Sequence, residues 1–143
     1  MRKILPVTIG CLVIAFIWYW QTHLTYTGEV LHFEAHVRKH VAPAKLQSWA
    51  TNLISLYSTS QVGETNFPIK RFPDYLRDLH RLPPFGFVFP ATAERPGYVR
   101  VTWGSGFRGH WALNVGSTNF VDPYGSESEM WQPGVYFWRE HRP

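Results

Sequence analysis

The sequence predicts an α+β fold: an N-terminal transmembrane helix, two to three amphipathic helices, then a small antiparallel β-meander of four to five strands. Three observations lead there. Residues Ile4 to Trp20 carry no charge. Apolar residues between 29 and 57 recur at helical spacing. Beyond residue 85 the pattern changes to strict alternation, with turn residues between short runs.

The apolar run is preceded by Arg2 and Lys3 and closed by Trp18, Tyr19 and Trp20. Seventeen uncharged residues reach the short end of the range for a membrane span, and the aromatic cluster stands where an interfacial belt belongs. The two cations orient the N-terminus (residues 1–3) to the cytoplasm and everything after the anchor to the outside. No small-residue cleavage pattern follows Phe16, so residues 4–20 read as an uncleaved signal anchor and 21–28 as a juxtamembrane linker. A lipidated Cys11 is excluded, because "CLVIAFIWYW" is no start for a mature chain. Pro6 is tolerated in a first helical turn. The extracytoplasmic domain then spans 29–143, helical over 29–82 and β over 85–143.

Val30, Phe33, Val37 and Val41 line one face of a helix that ends at Ala42-Pro43. Pro43 suits the first turn of a second helix, whose stripe is Leu46, Trp49, Ala50, Leu53, Leu56 and Tyr57. "TSQVGETNFPIKR" reads as loop. "PDYLRDLHRL" reads as a short helix stopped by Pro83-Pro84. The strands follow: "FGFVFPA", "YVRVTW", "HWALNV", "NFVD" and "GVYFWRE". Alternation sets Val99, Val101 and Trp103 against Tyr98, Arg100 and Thr102. It likewise sets Trp111, Leu113 and Val115 against His110, Ala112 and Asn114. "GSGFRG" is the hairpin loop between two of these strands.

The order of parts resembles that of pilin-like subunits in architecture alone. The glycine-ended leader with its Phe start and early Glu is missing, and Gly28 and Pro43 interrupt the long helix.

Composition restricts function further. The net charge is +4, but without Arg2 and Lys3 the balance is twelve basic residues to ten acidic ones. Basic residues form no stripe, so nucleic acid is not an expected partner. Cys11 is the sole cysteine, which excludes an internal disulfide and a cysteine metal site.

Two constellations carry candidate chemistry. Ser105, His110 and Asp122 supply the residue types of a nucleophile–base–carboxylate set. Trp103 stands where a nucleophile elbow needs glycine, and the loop lacks the P-loop order. His110 and Asn114 share a strand face about 13 Å apart, too far to touch. Asn114, Trp103 and Trp111 are candidate binding residues around this loop. Separately, His32, His36 and His40 repeat every four residues along one helix, a spacing that brings neighbours within reach of one zinc or copper ion. A solvated helix face gives the same pattern.

Three functions follow. The first is a membrane-anchored extracytoplasmic interaction or structural module with a protein partner in the membrane or envelope, needing no cofactor. The alternatives are a tethered hydrolase-like enzyme using His110 and a metal-binding protein using the histidine stripe.

Overall fold

The computed structural model describes residues 4–20, 26–58, 65–105 and 109–140. Its architecture is α+β, with four α-helices and a six-stranded antiparallel sheet. The helices are α1 (Ile4–Tyr19), α2 (Tyr26–His40), α3 (Pro43–Ser58) and the short α4 (Asp74–Arg77). The strands are β1 (Thr65–Phe67), β2 (Phe85–Phe89), β3 (Tyr98–Ser105), β4 (Gly109–Gly116), β5 (Ser128–Gln132) and β6 (Val135–Arg139). They lie in the order β1-β2-β3-β4-β6-β5, so only β5 and β6 depart from a simple meander.

The expected membrane span is corrected by α1 itself. The helix has 16 residues. At about 1.5 Å per residue it rises roughly 24 Å, against a hydrocarbon layer of roughly 30 Å. Among the described residues, no helix is long and apolar enough to cross a membrane. That overturns the transmembrane anchor over 4–20. It also overturns the single-pass placement, with a cytoplasmic N-terminus and an extracytoplasmic C-terminal domain. Most of the supposed linker, residues 21–25, lies outside the described residues. Gly28 falls within the first turn of α2.

Helices α2 and α3 form because each carries one apolar stripe. Val30, Phe33 and Val37 of α2, with Val41 beyond its end, are buried. Glu29 in its first turn and Arg38, Lys39 and His40 in its last complement the helix dipole. Helix α3 buries Leu46, Ala50 and Leu53 and packs on β2, β3 and β4. The sheet face beneath the helices is the alternate set Val88, Val99, Val101, Trp103, Trp111, Leu113, Val115, Val135 and Phe137, all in one core. A buried Glu34 fastens α2 to β6. It accepts a two-pronged contact from Arg139, Nε to Oε1 and Nη2 to Oε2, both at 2.8 Å.

The strand expected at "NFVD" is a loop, and "PDYLRDLHRL" is helical only over α4. Phe120 N–H donates to Ser117 O at 2.8 Å, so the chain turns back over the sheet instead of adding to its edge. Gly116 permits this, because a Cβ there would lie 2.6 Å from Phe120 Cβ.

Candidate functional site

The sheet face away from the helices is where the polar chemistry collects. Register fixes its rows. Arg100 pairs with Asn114, which pairs with Tyr136; Thr102 pairs with Ala112, which pairs with Trp138; Gly104 pairs with His110. Because side chains alternate across a strand, these residues share one face. Residues 117–127 fold back over part of it and contribute Phe120, Asp122 and Tyr124.

Asn114 is the centre of that cover and has no solvent exposure. Its Nδ2 donates to Asp122 Oδ2 at 2.7 Å, and its Oδ1 accepts from Arg100 Nε at 2.9 Å. The Arg100 guanidinium lies 4.1 Å from the Tyr124 ring centroid and 4.8 Å from that of Trp138. Its buried Nη2 has no hydrogen-bond partner among the described residues, and these π-faces supply the compensating attraction. Tyr98 stacks between Phe89 and Phe120 at 4.4 and 4.7 Å. Burial, with Tyr124 beside it, pushes its phenol pKa upward. The arrangement is a second, polar-centred core that clamps a loop to a sheet. Its hydrogen bonds run within the chain, from Arg100 through Asn114 to Asp122, as in a structural network.

His110 stands at the border of this cluster. Its Nδ1 lies 3.0 Å from Glu140 Oε2, its backbone N–H donates to the same oxygen at 2.9 Å, and Glu140 N–H donates back to His110 O at 3.0 Å. The carboxylate beside the histidine is therefore Glu140, just past the last strand. Asp122 is engaged elsewhere, by Asn114 and by the Tyr124 N–H. The Ser105 side chain lies outside the described residues, as do loop residues 106–108. Chemically, a carboxylate-held imidazole is an orienting pair for proton transfer.

The structure sends the other named residues apart. Trp103 and Trp111 lie on the helix-facing side in the main core, 0% and 2% exposed. Their rings are 4.8 and 6.0 Å from that of Phe33. On α2, the His36 and His40 rings are 4.2 Å apart and His40 Nδ1 bonds to His36 O at 2.9 Å. Burial, then the charges of His40, His32 and Lys39, lowers the His36 pKa. Among the described residues, no group of three or more His, Cys, Asp or Glu is placed to hold a metal ion.

Arg100, Glu140 and His80 went unmarked in the sequence. Arg100 was legible as sharing the polar face, but its pairing with Asn114 depends on the register across a glycine-rich hairpin. His80 accepts the Leu82 N–H at 3.0 Å and meets Trp111 edge-on at 5.4 Å.

No protein-family model, curated protein or solved structure matches this chain.

Proposed function

We propose that the protein is a protein-interaction module whose docking element is α1. The observation that carries this reading is the uncovered apolar surface of that helix. Every residue from Cys11 to Trp20 is exposed, with Leu12 at 66%, Ile14 at 69% and Phe16 at 61%. A helix apolar on all sides belongs in an apolar surrounding. Each uncovered square ångström forfeits about 25 cal/mol relative to burial. The described domain offers no cover, since its own core begins at Val30. A hydrophobic groove in a partner protein supplies what is missing, in the manner of helix-in-groove recognition.

The test is photo-crosslinking from a reactive residue at Ile14 in the full chain. The expected result is one discrete protein adduct, identifiable by mass spectrometry and lost on adding Phe16→Asp and Ile17→Asp. Adducts to lipid alone, or an adduct indifferent to those changes, would overturn the proposal.

A second reading has one specific observation in its favour, the His110–Glu140 contact. An imidazole fixed by a carboxylate suits general-base chemistry, worth about 10² or more in rate. Hydrolysis of an activated ester should then fall at least about tenfold in both His110→Gln and Glu140→Gln. Rates in the parent chain equal to those in buffer would remove this reading.

A further inference from the structure

A separate feature lies on the outer side of α3. Between that helix and the Pro73–Tyr75 turn runs a groove of about 490 Å³, walled by Ala44, Trp49, Pro73 and Tyr75. That size suits a small organic ligand (roughly 300–1,000 Å³). The aromatic walls are fixed in place. Trp49 Nε1 donates to Arg71 O at 3.1 Å, and its ring packs 6.0 Å from Phe67 and 5.9 Å from Phe72. Tyr75 OH donates to Lys45 O at 3.4 Å, and burial raises its pKa, so the hydroxyl stays protonated. The polar atoms of both rings are thus already used within the protein, and what they add to the groove is hydrocarbon.

The groove's polar side is a row on one helix face. Lys45, Ser48 and Asn52 recur at spacings of three and four and line the cavity. Their side-chain polar atoms make no hydrogen bond to other described residues. Lys45, Lys70 and Arg71 form no ion pair among the described residues, nor does Asp78, whereas Asp74 is paired with Arg77. Trp49's bond to the Arg71 carbonyl ties that basic segment to the groove wall.

We infer that this groove binds a small planar aromatic carboxylate. The ring lies against Trp49 and Tyr75, the carboxylate meets Lys45, and Ser48 and Asn52 supply hydrogen bonds. Rigid aromatic walls select a flat apolar body, and the Lys45 ammonium on the groove's polar side selects a negative charge over a neutral group.

The test uses the full chain and two probes, 2-naphthoate and its neutral counterpart 2-naphthamide, followed through tryptophan indole N–H resonances. The Trp49 resonance should move saturably with naphthoate. Naphthamide should bind about three- to fivefold more weakly, as should naphthoate to Lys45→Ala, while Lys45→Arg keeps the affinity. Ser48→Trp, which fills an exposed groove, should abolish binding with the thermal midpoint unchanged. Equal affinity for the two probes, shifts confined to Trp18 and Trp20, or undiminished binding by folded Ser48→Trp would each overturn the inference.

Discussion

The Asn114 amide faces two charged groups at once, Asp122 through its nitrogen and Arg100 through its oxygen. Leucine at this position removes both bonds and leaves the Asp122 carboxylate buried with the Tyr124 N–H alone, at 3.4 Å. A buried charge stripped of its main partner costs about 3 kcal/mol. Asn114→Leu should therefore lose about that much in urea unfolding. The double variant with Asp122→Leu should regain part of it. A loss below about 1 kcal/mol in the single variant would contradict the clamp. His80 makes a second prediction. Burial lowers its pKa from 6.5, with Arg81 adding to the shift and Glu29 opposing it. Well above pH 6.5 it is neutral folded or unfolded and contributes no slope. Below 6.5 the unfolded chain binds the proton first, so stability falls with pH until the folded histidine protonates too. Replacing His80 with Asn keeps an acceptor for the Leu82 N–H and removes the titration. Its stability, measured at pH 7.5 and 5.5, should fall less than that of the parent chain; an identical fall would show that His80 does not contribute.

At the scale of elements, local pattern and backbone pairing part company. The α3 helix was legible in its start at Pro43 and in Leu46, Ala50 and Leu53, while Leu56, read as part of the same stripe, is 57% exposed. The pairs Val99/Val101 and Leu113/Val115 likewise read correctly as one buried face. "NFVD" misled for a physical reason. Phe120 and Asp122 are both buried while Val121 is 75% exposed, which is strand periodicity, yet among the described residues no strand pairs with them. The second core produces the alternation by folding a loop flat on a sheet. Strand β5 escaped for the converse reason: as an edge strand it buries none of its residues fully and shows no alternation. The β5–β6 turn depends on Gly134, at φ +80°, where a Cβ would come within 2.1 Å of Ser117 O. Both the left-handed backbone and the contact oppose any side chain. Gly134→Ala should cost about 2 kcal/mol or more and should loosen the 117–127 loop with it. Amide exchange in β6 and at Phe120 would report this together; unchanged protection would separate the turn from the loop.

For the molecule as a whole, α1 and the remainder obey different rules. The domain from α2 onward gathers most of its apolar residues into one core, with single exposed residues such as Leu31 and Leu56 scattered outside it. Helix α1 adds none of its described residues to that core. The charge-free run between cations and aromatic residues reads as a membrane anchor, and the 16-residue α1 is not long and apolar enough for one. Composition records how apolar a segment is and leaves open how far its helix extends. If the helix contributes nothing to the domain core, a chain beginning at Tyr26 should fold as the full chain does. Its thermal midpoint should lie within about 3 °C of the parent value, a shift worth less than about 1 kcal/mol for a domain of this size. The same chain should lose the crosslinked adduct seen from Ile14-bearing protein, when the reactive group is moved to an exposed position such as Leu31. A large drop in midpoint would mean that α1 packs on the domain in solution and that its apolar surface is covered from within. An adduct retained at Leu31 would instead place the docking surface on α2.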